Sequence, residues 1–185
     1  MIINGFNLKK NSTFIIAEAC ENHFGKISLA KEMILKSLDA GANCVKFQHH
    51  IPDDEMLKNV PKSDNFDLPL YEFLKENSFK LKDHEELKNF CYKNNITYLC
   101  TPFSLKAAKE LYSIGCEDFK IGSGEMTDIP TLVEISKFAK NMIISTGMST
   151  FDEIDRTYKV LKDTNVEFCF LNCTSEYPPI YEDLN

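Results

Sequence analysis

Apolar residues follow two alternating patterns along the chain. Short apolar runs, typical of buried strands, are followed by segments in which apolar residues recur three and four positions apart, as in an amphipathic helix. The runs that predict strands are residues 14–18, 44–49, 96–102, 119–122, 142–146 and 167–173. Six strands separated by helices predict a parallel sheet with helices packed around it.

Three local signals refine this pattern. Asn4-Gly5 is a turn signal and predicts a small hairpin ahead of the first main strand. Thr150 and Glu153 form a capping box that predicts the start of the last helix. Residues 51–81 hold three of the seven prolines and many charges, so they predict a long loop between the second strand and its helix. Long loops after strands often cover active sites.

Polar residues gather at the carboxyl ends of the predicted strands. They are Glu18, Lys46, Gln48, Thr101, Lys120, Ser123, Glu125, Ser145 and Asn172. In a (β/α)8 barrel these ends meet at one mouth, whereas an open doubly wound sheet spreads them along a crevice. We therefore expect an α/β fold of the TIM-type (β/α)8 class. In residues 1–185 this barrel is expected to be incomplete, truncated after about strand six, with an N-terminal β-hairpin.

Composition narrows the function classes. The chain has 185 residues, 43% of them hydrophobic and 26% charged, which fits one soluble globular domain. A net charge of -7 argues against a nucleic-acid partner and favours small-molecule substrates. No basic leader and no run of about 20 apolar residues is present, so neither export nor a membrane partner is expected. The seven cysteines include no C-x-x-C pair and predict reduced thiols in a cytoplasmic protein.

Two lysines lie inside predicted buried strands. Because a buried ammonium needs a partner, Lys46 and Lys120 are candidate ligands for an anion. A structural alternative is that each lysine reaches past its strand end or pairs with a nearby acid such as Glu18 or Glu125. In the same way, the serine hydroxyls at the strand ends could serve only to hydrogen-bond the backbone of a turn. The sequence leaves these alternatives open.

Six short strings stand at the predicted strand ends. They are Ile15-Ile-Ala-Glu-Ala19 with Asn22-His-Phe-Gly25, Gly41-Ala-Asn-Cys-Val-Lys-Phe-Gln48, Thr101-Pro-Phe103, Lys120-Ile-Gly-Ser-Gly-Glu125, Ser145-Thr-Gly-Met148 and Cys173-Thr-Ser-Glu-Tyr-Pro178. In this order, over nearly the whole chain, they resemble the sialic acid (N-acetylneuraminate) synthase family. That family includes the synthases of legionaminic and pseudaminic acids.

The resemblance implies a reaction and a set of site residues. The implied reaction condenses phosphoenolpyruvate, as co-substrate, with an N-acylated hexosamine such as N-acetylmannosamine. Its products are a nine-carbon 2-keto acid and phosphate. The implied catalytic residues are Glu18, Lys46, Lys120 and Glu125. The implied substrate-binding residues are Asn22, Gln48, Thr101, Ser123, Ser145 and Tyr177.

The resemblance also implies a divalent metal, Mn2+ or Mg2+, that polarises the sugar aldehyde. In the family a histidine commonly stands two residues before the Thr-Ser-Glu-Tyr-Pro string and binds the metal, and here that residue is Asn172. An Asn carbonyl can bind such a hard ion but is a poorer ligand than imidazole for softer ones. The last two βα units and a C-terminal antifreeze-like domain are expected to be absent from residues 1–185. Full-length family members are expected to be homodimers.

Two other functions are retained at this stage. A Schiff-base aldolase would use Lys120 as its nucleophile if burial beside Lys46 lowered the pKa of that amine. A non-catalytic family member would bind a ligand or a partner only, without the metal. Of the histidines, adjacent His49 and His50 are expected to point to opposite faces of their strand, and His84 is expected on a solvated helix surface.

Overall fold

A computed structural model of the chain describes residues 1–3, 6–8, 13–62, 67–176 and 178–184. The strands are β1 (Ile2–Ile3), β2 (Phe6–Asn7), β3 (Ile16–Glu18), β4 (Cys44–His49), β5 (Thr97–Pro102), β6 (Asp118–Ile121), β7 (Asn141–Ser145) and β8 (Glu167–Leu171). The helices are α1 (Ile27–Asp39), α2 (Pro52–Glu55), α3 (Leu70–Asn77), α4 (Leu81–Lys93), α5 (Leu105–Ser113), α6 (Ile129–Ser136) and α7 (Phe151–Leu161). A short 3-10 turn covers Tyr181–Asp183.

The main sheet has six parallel strands in the order β3-β4-β5-β6-β7-β8, which is also their order along the chain. Sequential parallel strands joined by helices curl the sheet into part of a TIM-type barrel. Strands β1 and β2 form a separate antiparallel hairpin. The predicted α/β fold with an N-terminal hairpin is therefore confirmed, although Asn4 and Gly5 of the predicted turn lie outside the described residues.

Alternation along the strands creates two apolar layers. Residues such as Val45, Phe47 and Phe119 pack outward against the helices. Their neighbours Cys44 and Leu99 face the other way, into a second cluster on the concave side. That second cluster fills one end of the barrel interior, and it leaves the polar strand ends to line the other.

The hairpin closes the apolar end of the interior. Ile3 is fully buried against Cys44, Leu99 and Ile143. Asn141 at the start of β7 donates from Nδ2 to the Ile2 carbonyl over 2.8 Å, which ties the hairpin to the sheet. With this end plugged by apolar side chains, inward-facing residues two positions further along each strand lie at the mouth.

Residues 51–81, predicted as a loop because of their prolines and charges, contain two helices, α2 and α3. Helix α2 begins with Pro52 at its first position, where a missing N–H costs nothing. Helix α3 buries Tyr71 and Leu74, and the Tyr71 hydroxyl donates to Asp53 Oδ1 over 2.8 Å. The described parts of the segment therefore contain helical structure rather than only irregular loop.

The capping box at α7 is confirmed. Thr150 Oγ1 accepts the Glu153 N–H over 3.3 Å, and Glu153 Oε2 accepts the Thr150 N–H over 2.7 Å. These two bonds satisfy two backbone donors that the first helical turn leaves unpaired.

The prediction for His84 is wrong. Its side chain is fully buried beneath α4, where Nδ1 bonds the Tyr98 hydroxyl at 2.7 Å. The ring of His49 contacts it edge-on at 4.5 Å between centroids. Burial lowers the pKa of His84 well below 6.5, so it packs as a neutral ring.

Two further expectations concern the cysteines and the membrane. All seven cysteines are unpaired thiols, and four of them are buried: Cys44, Cys91, Cys100 and Cys116. Cys173 is exposed, so the thiols are not all in the core. Among the helices in the described ranges, none has the length and apolarity that crossing a bilayer requires.

Candidate active site

Lys46 and Glu18 form an ion pair at the barrel mouth. Strand register places Glu18 of β3 directly beside Lys46 of β4, so the two side chains leave the sheet on the same face. Lys46 is 8% exposed, whereas the Glu18 side chain is 46% exposed. The Lys46 ammonium is therefore buried, whereas the Glu18 carboxylate that it pairs with is exposed at the mouth, where water or a ligand can approach it.

Lys120 enters the same interior from β6. Its Nζ donates to Ser145 Oγ over 2.5 Å and to the Ile121 carbonyl over 2.7 Å. Ser145 lies two residues beyond Ile143, the register partner of Lys120, so it leaves β7 on the same face. Burial, followed by the charge of Lys46, lowers the pKa of Lys120 to about 8. Two ammonium groups thus act on each other, and the hydrogen bonds that the described residues give the Lys120 ammonium go to a hydroxyl and a carbonyl. An anion would stabilise this arrangement.

An unpaired hydroxyl lies between these lysines in the sheet. Thr101 of β5 is almost fully buried, and its Oγ1 has no hydrogen-bond partner. Thr101 pairs in register with Gln48, which leaves β4 on the same face as Lys46. A buried hydroxyl without a partner costs free energy, so this one is suited to a ligand oxygen.

Glycines let the loops after β6 and β7 approach each other. The Gly147 N–H donates to Ser123 Oγ over 3.0 Å. A Cβ at Gly147 would collide with Ser175 Oγ and would lie 2.9 Å from Ser123 Oγ and 3.3 Å from Cys173 Sγ. At Gly122 a Cβ would collide with the Glu125 carboxylate, which folds back over that residue. At both positions a Cβ would crowd the end of a polar side chain, so glycine leaves room for these hydroxyl and carboxylate groups close to the backbone.

A cavity of about 900 Å³ adjoins this group of residues. Its polar wall is Glu21, Asn22, Gln48, His50, Glu55, Asp67 and Glu125, and its apolar wall includes Phe24, Met56, Leu68, Leu70, Phe73, Leu74 and Phe103. Glu125 lines this cavity, and the charges of both Glu55 and Lys120 act on its carboxyl. Burial is the larger effect and raises the pKa of Glu125 above 4.5.

Comparison with known proteins decides the family. A family model described as the NeuB family matches residues 33–185. The chain belongs to the NeuB family. It is 37% identical over 182 residues to the N,N'-diacetyllegionaminic acid synthase of Campylobacter jejuni, covering 94% of this chain and 54% of that protein. It is 31% identical over 181 residues to the N-acetylneuraminate-9-phosphate synthase of Mus musculus, covering 95% of this chain and 50% of that protein.

A solved NeuB-family structure shares the fold. The N-acetylneuraminic acid synthetase of Leptospira borgpetersenii, crystallised with citrate, superposes with a TM-score of 0.85 at 32% identity. The match covers 95% of this chain and 59% of that one. The chain thus spans about half the length of the relatives it matches, and the named members of its family are sialic-acid-type synthases.

Within this NeuB-family chain, the predicted site residues fall into two groups. The first group is formed by the two lysines and the residues at the strand ends around them: Glu18, Lys46, Thr101, Lys120, Ser123 and Ser145. The second group lines the cavity and consists of Asn22, Gln48 and Glu125. Asn22 is exposed and donates from Nδ2 back to the Ala19 carbonyl at 3.1 Å. Tyr177 lies outside the described residues.

The metal implied by the family resemblance finds no matching donor set here. Asn172 follows β8 and is exposed. Across the ranges that the structure describes, no three His, Cys, Asp or Glu side chains converge so as to hold an ion. The described residues do not by themselves fit a metal centre.

Sequence reasoning missed the acidic residues of the cavity. Glu21 is 6% exposed, and neither of its carboxyl oxygens has a hydrogen-bond partner. Burial and then the charge of Glu55 raise the pKa of Glu21 to about 8. Glu55 Oε1 bonds His50 Nδ1 at 2.7 Å, and its Oε2 accepts the Ile51 N–H at 3.1 Å. The available signal was that both acids lie in the segments that directly follow barrel strands, Glu21 after β3 and Glu55 in α2 after β4.

His23 lies next to Glu21 without bonding it. Its Nδ1 accepts the Gly25 N–H over 3.1 Å, so the neutral ring carries its proton on Nε2. That nitrogen is 3.5 Å from Glu21 Oε2, too far for a good hydrogen bond. The ring stacks on Phe79 at 3.7 Å, and burial lowers the pKa of His23 to about 4. His23 is therefore a buried, neutral ring beside Glu21.

Proposed function

We propose that the chain carries the phosphoenolpyruvate-binding part of a synthase. The reaction would condense phosphoenolpyruvate with an N-acylated hexosamine of the N-acetylmannosamine type. It would give a nine-carbon, sialic-acid-type 2-keto acid and inorganic phosphate. Family membership supports the reaction class, and the two inward lysines at one mouth are the observation that carries the assignment.

The lysine group suits a compact dianion. Phosphoenolpyruvate carries a phosphate and a carboxylate, and fixed cations with hydroxyl donors in a water-poor site bind such groups strongly. Lys46 and Lys120 would supply the charge, and Thr101 would donate its unpaired hydroxyl. Ser145 would hold the Lys120 ammonium in place through the bond it already accepts. An anion bound between the lysines would raise the pKa of Lys120 again.

Glu125 is the group best positioned to move a proton. Its raised pKa favours the protonated acid, and it lies between the lysine group and the cavity. As the enol carbon bonds the aldehyde carbon, the aldehyde oxygen would take the Glu125 proton. Water then adds at C2 and returns one proton to the Glu125 carboxylate. The tetrahedral intermediate collapses to the ketone and expels inorganic phosphate, which balances the reaction.

A ligand titration with a matched lysine pair tests the binding part. Phosphoenolpyruvate should raise the melting temperature of the wild-type chain, because a ligand of the native state alone stabilises it. Lys120→Met should weaken that binding by at least about thirtyfold, as expected when one partner of a buried charge contact is removed. Lys82→Met, on the exposed surface of α4, is the control and should bind normally. Equal binding by both variants would contradict the proposed site.

Turnover is tested separately from binding. The chain is mixed with phosphoenolpyruvate, N-acetylmannosamine and Mn2+, and released phosphate is measured. Phosphate release that Lys120→Met abolishes supports the synthase. Melting-temperature protection without phosphate release favours the non-catalytic alternative for this chain.

A second candidate function, that of a Schiff-base aldolase, rests on one observation. The pKa of Lys120 is lowered to about 8 by burial and by Lys46, which is the condition that a Schiff-base aldolase requires. Reduction with borohydride in the presence of pyruvate would then trap a covalent adduct on Lys120. The synthase predicts no adduct, because Ser145 and the Ile121 carbonyl hold this amine as an ammonium.

A further inference from the structure

Three side chains form a hydrogen-bonded path along the cavity wall. Gln48 Oε1 bonds His50 Nε2 at 3.0 Å, and His50 Nδ1 bonds Glu55 Oε1 at 2.7 Å. The other carboxyl oxygen of Glu55 accepts the Ile51 N–H over 3.1 Å. Gln48, His50 and Glu55 all line the cavity. The path therefore joins α2 to Gln48, which is the last residue of β4 on the face that carries Lys46.

The ring of His50 is fixed at one face as well as at both nitrogens. It is 8% exposed and stacks on Phe103, with the ring centroids 4.2 Å apart and the planes inclined by 18°. The Glu55 side chain that holds Nδ1 is itself only 4% exposed. A buried ring that is bonded and packed in this way keeps one orientation, so the direction of its Nε2 bond is set before any ligand arrives.

The bond from His50 also decides which end of the Gln48 amide faces the mouth. An amide oxygen can only accept, so the proton in this bond belongs to His50 Nε2. With its oxygen occupied, Gln48 presents its NH2 group as a donor, and that nitrogen has no hydrogen-bond partner among the residues that the structure describes. Without His50, the amide would be free to turn over and present its oxygen instead.

Gln48 lies between the cavity and the lysine group. It leaves β4 on the same face as Lys46, two residues earlier, and it pairs in register with Thr101 of β5. The Thr101 hydroxyl is buried without a partner. An amide N–H beside that hydroxyl and the Lys46 ammonium adds a donor for one anion, whereas an amide oxygen in the same place would repel it.

We propose that His50 and Glu55 are positioning residues, which hold the Gln48 amide so that its N–H groups donate to the anion bound at Lys46 and Thr101. Neither His50 nor Glu55 contacts that anion in this scheme, and neither transfers a proton. The inference rests on the proposed function, because the anion is the phosphoenolpyruvate of that reaction. A purely structural role for His50 and Glu55 at the start of α2 is the alternative that the experiment separates.

A double-mutant cycle on the 185-residue chain tests the scheme, with calorimetric titration of phosphoenolpyruvate as the readout. Gln48→Ala removes the donor and should weaken binding about tenfold. His50→Asn, whose shorter amide cannot replace Nε2, should weaken binding by about three- to tenfold. In the Gln48→Ala background, His50→Asn should change the affinity by less than about twofold, because His50 acts only through Gln48.

Further variants separate positioning from a structural role. His50→Gln carries an amide N–H to about the position of Nε2, so it should restore the affinity to within roughly threefold of wild type. Glu55→Ala should weaken binding as His50→Asn does. Asp54→Ala is the matched control on α2: it removes only an exposed ion pair with Lys106, so it should bind as wild type. Urea unfolding curves for all variants separate lost binding from lost folding.

The outcomes distinguish this inference from the proposed function. A loss of affinity from His50→Asn that is equally large in the Gln48→Ala background, or no rescue by His50→Gln, would overturn the inference alone. Wild-type affinity in Gln48→Ala, His50→Asn or Glu55→Ala would do the same. A wild-type chain that does not bind phosphoenolpyruvate would refute the proposed function, and this inference with it.

Discussion

Replacing Glu21 with glutamine should stabilise the native state. Glu21 is 6% exposed, and among the described residues its carboxyl oxygens have no hydrogen-bond partner. Ionising this carboxyl group in the native state therefore costs free energy. Burial and the charge of Glu55 raise the pKa of Glu21 to about 8 from an ordinary value of 4.5. Glutamine keeps the shape of the side chain and removes its ionisation, so the variant isolates the cost of protonation.

The size of the effect follows from proton linkage. Between pH 4.5 and about 8 the unfolded chain releases the Glu21 proton while the native state keeps it. The native state therefore binds more protons, and stability falls as pH rises through this window. Each pH unit costs about 1.4 kcal/mol, so at pH 7 the cost is roughly 3 kcal/mol. We expect Glu21→Gln to raise the free energy of unfolding by about 2–3 kcal/mol at pH 7.

Urea unfolding at three pH values measures this gain. The midpoint should rise with an unchanged slope at about pH 7 and pH 8.5, and the difference should nearly vanish at about pH 4.5. His23, whose burial lowers its pKa to about 4, destabilises the native state as pH falls from 6.5 to about 4. This second effect is common to wild type and variant and cancels. A gain that persists unchanged at the lowest pH, or a loss at pH 7, would refute the reasoning.

Three further predictions concern the mouth and one helix end. Gly147→Ala should cost about 1–3 kcal/mol of stability and weaken phosphoenolpyruvate binding, because its Cβ would displace the hydroxyls of Ser175 and Ser123; urea unfolding and ligand titration measure both. Thr150→Ala should cost about 0.5–2 kcal/mol by removing the cap of α7, measured as a lower urea midpoint. Phosphoenolpyruvate affinity should fall as pH rises through about 8, since burial and Lys46 lower the pKa of Lys120 to that value and the amine loses its charge above it.

Matched variants decide these predictions. Gly124→Ala adds a Cβ in the neighbouring loop, after β6, with nothing within 4 Å, so it should be nearly neutral; a similar loss at both glycines would contradict the crowding argument. Thr150→Ser keeps a capping hydroxyl and should restore most of the stability. Lys120→Arg keeps a charge at all these pH values, so a pH dependence that survives in it would exclude Lys120 as its origin.

The periodic signals in the sequence were enough for the fold. The six strand runs were recovered with ends shifted by one or two residues, because period-two alternation and apolar continuity are local properties that burial enforces. The lysine group followed for the same reason: residues at the carboxyl ends of parallel strands must meet at one mouth. Lys46 and Thr101 leave the sheet on the same face, and the charge of Lys46 acts on Lys120.

The tertiary structure alone decided which polar groups have partners. Lys46 and Glu18 pair because strand register sets them side by side, and register is not local information. Glu21 and Glu55 are 34 positions apart, and nothing in the local sequence shows that either is buried. Both line one cavity only because the segment that contains Glu55 folds against the loop that contains Glu21. The prediction that His84 is solvated was wrong because it used only the polar residues around His84 in its helix. Packing against Tyr98, a distant residue, buries the ring instead. Sequence periodicity determines which face of an element turns inward, whereas the neighbours on that face are set by how distant elements pack.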